Sequence, residues 1–116
     1  MTRLELMNIL NQVIPTYSIG QLKGKLNKNC AILRRSAYLT SMSNSLAGWD
    51  NWYIDIYSPF GPGELDKISE QILTALQTKY NNIEIENKTS GDYWDTYLQA
   101  YVSTMSVRCP NTTRYR

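Results

Sequence analysis

From Tyr93 to Val107 the sequence alternates in a way that few folds other than a sheet can use. Trp94, Leu98, Ala100 and Val102 fall on one parity, and Tyr93, Tyr97, Tyr101, Met105 and Val107 on the other. Successive side chains of a strand point to opposite faces, so the run predicts one long final strand with two useful faces. The Trp94, Leu98 and Val102 parity is expected to cover a core. The tyrosine parity is too aromatic for an ordinary solvated surface. Ile83-Glu84-Ile85-Glu86 reads as the strand before it, with Thr89-Ser90-Gly91-Asp92 connecting the two. A small sheet that is sticky on both faces calls for a partner.

Upstream, Thr2-Arg3-Leu4-Glu5 has the form of a capping box, in which threonine and glutamate satisfy each other's backbone amides at a helix start. Leu6, Leu10, Val13 and Ile14 recur at helical spacing, and Pro15 ends the helix because proline has no amide to donate. Tyr17 to Lys28, with Gly20, Gly24 and three lysines, reads as an irregular connection. Cys30 to Thr40 and Trp49 to Ser58 read as an antiparallel hairpin. In its second arm Trp52, Ile54 and Ile56 share one face, and Tyr53, Asp55 and Tyr57 the other. The breaker run Ser58-Pro59-Phe60-Gly61-Pro62-Gly63 then launches a helix whose buried stripe is Leu65, Ile68, Ile72, Ala75 and Leu76, with Leu73 at its edge.

The expected fold is therefore α+β: a mostly antiparallel sheet of about four strands with both helices on one face, in the order α-β-β-α-β-β. At 116 residues the chain is expected to be one domain with a hydrophobic core of its own, residues 110–116 forming a C-terminal arm. No apolar run approaches the roughly 20 residues that span a bilayer, so no membrane is expected. Glu5, Asn8 and Asn11 interrupt the N-terminal segment, which does not read as a secretory leader.

Chemistry is poorly provided for. The sequence contains no histidine, which removes Ser-His-Asp and Cys-His catalysis and most zinc sets. It has no phosphate-binding glycine loop, and Pro62 deprives Gly61-Pro62-Gly63 of an amide donor. Cys30 and Cys109 form no metal-binding spacing, and a disulfide between them would require neighbouring strands. Glu84 and Glu86 share a strand face with Asp92 and Asp95 nearby, a pattern that more often protects a sheet edge than holds a cation. No cofactor, metal or enzymatic activity is expected. The net charge of +2 is too small to argue for nucleic acid alone. The aromatic set Trp49, Trp52, Tyr53, Tyr57, Tyr93, Trp94, Tyr97 and Tyr101 fits a protein interface better than a base-stacking platform, because Asp55 and Asp95 would repel phosphates.

Three patterns together resemble the tail terminator family of long-tailed bacteriophages. They are the hairpin Cys30 to Tyr57 with its polar loop, the strand end and acidic helix start Tyr57-Ser58-Pro59-Phe60-Gly61-Pro62-Gly63-Glu64-Leu65, and Asp92-Tyr93-Trp94 introducing a long last strand. The resemblance implies a homo-oligomeric, six-fold ring that caps the completed tail tube and ends its polymerisation. Its partners would be the tail tube protein and the head-side connector. DNA would only pass through the lumen, and the protein would move from the host cytoplasm into the virion. The residues expected at subunit or partner contacts are Arg34, Arg35, Met42, Leu46, Trp49, Tyr53, Tyr57, Tyr97, Tyr101, Arg114, Tyr115 and Arg116. One of the two adjacent arginines is expected to meet an acid of the next subunit. Another neck or head–tail completion protein is the near alternative, and a small nucleic-acid-binding α/β domain the distant one.

Overall fold

A computed structural model of the chain describes residues 2–35, 49–80 and 83–110, with the backbone alone for Trp49, Asp50, residues 87–90, Cys109 and Pro110. The first helix, α1 (Arg3–Val13), begins with the expected reciprocal cap. The Thr2 amide donates to Glu5 Oε1 at 2.8 Å, and the Glu5 amide donates to Thr2 Oγ1 at 3.2 Å. These bonds favour the ionised form and hold the Glu5 carboxyl below its usual range. After Pro15, the Thr16 amide donates to Asn11 Oδ1 at 2.9 Å, so the chain turns directly out of the helix.

That turn produces an element absent from the sequence reading. β1 (Thr16–Tyr17) pairs in parallel with β2 (Cys30–Arg35). The sheet is therefore mixed, and the segment read as wholly irregular starts with a strand. β2 pairs antiparallel with β3 (Trp49–Ser58), as the hairpin reading expects. After α2 (Pro62–Lys79) come β4 (Glu84–Asp95) and β5 (Ala100–Pro110). Among the described residues the sheet has five strands in the order β1-β2-β3-β5-β4. The last strand thus lies inside and β4 forms an edge.

The alternating run is where the sequence reading departs most from the structure. Tyr93 to Val107 is not one strand: β4 continues through Asp95, and the chain reverses at Thr96–Gln99. Asp95 Oδ1 accepts the Leu98 amide at 2.9 Å, Leu98 is buried, and Gln99 takes a positive φ of 52°. The more turn-like Thr89–Asp92 stretch stays within β4, where it appears as register shifts between Glu86 and Ser90 and between Ser90 and Tyr93. Extra residues in one strand of a ladder are absorbed as bulges without reversing the chain.

The two faces of the sheet bury different things. On one, α1 and α2 cover Ala31, Leu33, Trp52, Ile54, Ile56, Met105 and Val107 with Leu6, Leu10, Leu65, Ile68, Ile72 and Leu76. On the other, a smaller cluster joins Leu26, Cys30, Tyr57, Leu98, Ala100 and Val102. The 18–29 segment reaches beneath that end of the sheet, its Leu26 amide donating to the Leu98 carbonyl at 2.9 Å. Cys30 lies level with Tyr57 and Val102, whereas Cys109 stands opposite Asp50. The seven-residue offset along the strand is about 23 Å, far beyond disulfide reach. Burial pushes the free Cys30 thiol up to about 11.

Candidate functional site

The register sorts the candidate residues into two ends of the sheet. At one end the cross-strand row Arg35–Trp52–Val107–Ile85 lies on the helix-covered face. At the other end lie Ser58, Tyr101 and Trp94, followed by the β4–β5 turn. Six residues of strand separate Trp52 from Ser58, about 20 Å.

Arg34 is engaged within its own chain. Its Nε donates to Asp55 Oδ2 at 2.7 Å and its Nη2 to Asp55 Oδ1 at 3.2 Å, a bidentate fork across β2 and β3. Thr104 Oγ1 donates to the same Oδ1 at 2.7 Å from β5. The guanidinium also lies over the Tyr53 ring, 4.6 Å from its centroid. Hydrogen bonding to Asp55 raises the Arg34 pKa against the opposing effect of burial. Asp55 is only 8% exposed, so both of its oxygens are committed inside one chain. A carboxylate held this way is a tie across three strands, and no oxygen is left turned outward for proton transfer.

Tyr57 is buried as well, a correction to its expected place at an interface. Burial raises its phenol pKa, and the nearby Asp55 charge pushes the same way. Tyr53 is half-buried beneath Arg34. The open face near Asp55 is therefore a closed polar layer.

Arg35 behaves differently. Its guanidinium stacks over Trp52 at 4.4 Å from the ring centroid, and Arg3 from the start of α1 lies 5.2 Å from the same ring. Both side chains are exposed, and neither has a carboxylate partner among the described residues.

The opposite end of the sheet exposes several aromatic side chains. Tyr93 is 51% exposed, Trp94 49% and Tyr97 66%. Trp94 is not the core residue its parity predicts: the turn places it opposite Tyr101, where the rings meet edge-on at 4.9 Å and 72°. Tyr101 itself is half-buried against the helix-side core. Phe60, beyond the end of β3, is 67% exposed. The sequence reading gives Phe60 no role, although its setting between Pro59 and Gly61 in a breaker run marks it as a loop-tip aromatic.

Met42, Leu46, Arg114, Tyr115 and Arg116 lie outside the described residues, as does the expected continuation of β2 through residues 36–40; for Trp49 only the backbone pairing, opposite Pro110, is described. Pro110, read as the first residue of the arm, closes β5. No helix among the described residues is long and apolar enough to cross a membrane. Compared with known proteins, the chain matches no family model, no curated protein and no solved structure.

Proposed function

We propose that this chain is a structural assembly subunit, a tail-terminator-like protein. Copies of it close into a ring that caps a phage tail tube, ends tube polymerisation and joins the tail to the head-side connector. The observation that carries the reading is the exposure of Tyr93 and Trp94 at the end of β4 and of Tyr97 in the β4–β5 turn, each about half exposed or more. Exposed aromatic side chains at one end of a sheet are typical of protein–protein contacts, because they bury much area at little entropic cost. Assembly rings work by geometry: a ring that matches the growing face of a stack and offers a different opposite face stops growth. A patch at the end of the strands suits axial contact with the tube, while the sheet edges suit neighbours within the ring.

The commitment of Asp55 to Arg34 and Thr104 favours this reading over an acid–base enzyme. The burial of Tyr57 and the covering of Tyr53 by Arg34 leave few ring faces on the sheet for stacked bases, which weighs against a nucleic-acid platform.

Co-expression with the cognate tube protein tests the proposal. A terminator limits tube length and is found at one end of each tube only. Tubes of unlimited length, or the protein distributed along them, would exclude it. Binding of single-stranded DNA at low salt, lost on Tyr93→Ala, would favour the nucleic-acid alternative instead.

A further inference from the structure

At the level of Arg35 and Trp52, the helix-covered face ends in hydrogen-bond donors that lack an acceptor. Arg35 of β2 and Arg3 of α1 stack on one indole, their guanidiniums 4.4 and 5.2 Å from the Trp52 ring centroid. Both arginines are exposed, and neither makes an ion pair among the described residues. Trp52 is fully buried, and its Nε1 has no hydrogen-bond partner among those residues. An indole N–H and a guanidinium can only donate.

The surroundings leave this positive charge largely in place. Arg3 is the first residue of α1, where the helix dipole presents its positive end. Glu5, the acid of that turn, has its Oε1 held by the Thr2 amide at 2.8 Å. Its charge offsets part of the potential but leaves both guanidiniums without a counter-ion. Stacking on the indole restricts two long side chains in advance, which lowers the ordering cost of binding an anion there.

The missing acceptor has a definite chemistry. A single guanidinium fork fills one carboxylate, as Arg34 does with Asp55 on the other face. Two forks with two positive charges match a dianion with more acceptor oxygens, and a terminal phosphate is such a group.

We infer that Arg3 and Arg35 form a binding site for a terminal phosphate, free or carried on a small molecule, with Trp52 as the platform that positions them. The site lies at the other end of the strands from Trp94 and does not depend on the ring reading. It also gives the two adjacent arginines separate tasks: Arg34 ties β2 to β3 and β5, and Arg35 recruits an anion.

The test is a titration of the wild-type chain in which phosphate replaces chloride at a constant ionic strength of about 0.1 M. Arginine Nε–H and indole N–H resonances report the binding. The Arg3, Arg35 and Trp52 signals should move together and saturate with a Kd on the order of 1 mM, while the Trp94 signal stays in place. Arg35→Lys keeps the charge but loses the fork and should weaken binding about ten-fold, with R3Q doing the same. Substitution of Arg35 also disturbs the stacking on Trp52, so competition on the unaltered protein gives a second measurement. Sulfate, tetrahedral and dianionic, should displace phosphate, and acetate should not. No movement of these signals by about 20 mM phosphate would overturn the site. Binding by Arg35→Lys equal to wild type, or displacement by acetate as readily as by sulfate, would overturn the paired forks. A response to single-stranded DNA but not to phosphate or a nucleoside monophosphate would overturn the terminal phosphate in favour of a phosphodiester backbone.

Discussion

The two faces of this sheet come from the same strands, yet they are stabilised by different physics. On the helix-covered face, each inward position of β2 and β3 before the edge is apolar and fully buried, from Ala31 and Leu33 to Trp52, Ile54 and Ile56. On the other face, the intervening positions carry Arg34, Tyr53, Asp55 and Thr104, joined by hydrogen bonds and a stacked guanidinium. Hydrophobic burial is non-directional and tolerates small shifts, whereas the polar layer depends on particular distances across three strands. The helix-covered face holds the larger apolar core, and the polar layer on the other ties β2, β3 and β5 together.

The strongest disturbance of this contrast is a charge placed on the helix-covered side. Ile72 of α2 is fully buried in that core. Ile72→Asp is expected to abolish cooperative unfolding, because an unpaired buried carboxylate and a lost isoleucine together cost more than about 4 kcal/mol. Urea titration followed by circular dichroism would show the loss; a normal sigmoidal transition would mean that α2 does not pack as described.

On the other face, Asp55→Ala strands Arg34 and Thr104. Removing one partner of a fully buried pair costs about 3–5 kcal/mol. The Arg34 side chain keeps 36% of its surface exposed, so the expected loss is smaller, about 1–3 kcal/mol. The two-state transition should survive. A double-mutant cycle with Arg34→Met should show coupling, and strict additivity would mean that the fork contributes nothing.

These two changes also separate what could be read in the sequence from what could not. α1, with its capping box, α2, with its stripe, and the parity of β3 are local patterns, fixed by residues within a few positions of one another. Asp55 and its partners are separated in sequence by 21 residues for Arg34 and 49 for Thr104. Only the register brings them together, so in the sequence each stands without a visible partner. β1 is invisible for a related reason, since two residues in parallel pairing carry no periodic signal. Composition alone misplaces the β4–β5 reversal, because Ser90-Gly91-Asp92 is more turn-like than Tyr97-Leu98-Gln99. The observed turn relies on the Asp95 side chain, buried Leu98 and a left-handed Gln99 instead. That single displacement exchanged the faces assigned to Trp94 and Tyr93.

The smaller cluster on the open face has an alkaline signature. Burial raises the Cys30 thiol from its ordinary value of 9.0 to about 11. The unfolded chain ionises first, so this contribution to stability is complete below about pH 9 and is lost as pH rises through about 11. The Tyr57 phenol shifts in the same direction and adds to the loss above its ordinary value of 10.0. Urea midpoints measured between pH 8 and 11 should fall, and Cys30→Ala should flatten the part that begins near pH 9. A midpoint that rises with pH would contradict the burial of both groups.

The smallest effect on stability is expected at the aromatic turn. Tyr97 is 66% exposed, so Tyr97→Ala should move the unfolding free energy by no more than about 0.5 kcal/mol. The same change, combined with Tyr93→Ala, should remove the protein from tube ends in a pelleting assay. Retention there by the double variant would disqualify the turn as the docking surface.

Electron-microscopy class averages of the purified protein, alone and mixed with tail tubes, test the whole account most directly. The account predicts closed rings of identical copies with rotational symmetry, seated on one end of each tube. Particles of single-copy size at every concentration, with bare tube ends in the mixture, would contradict it.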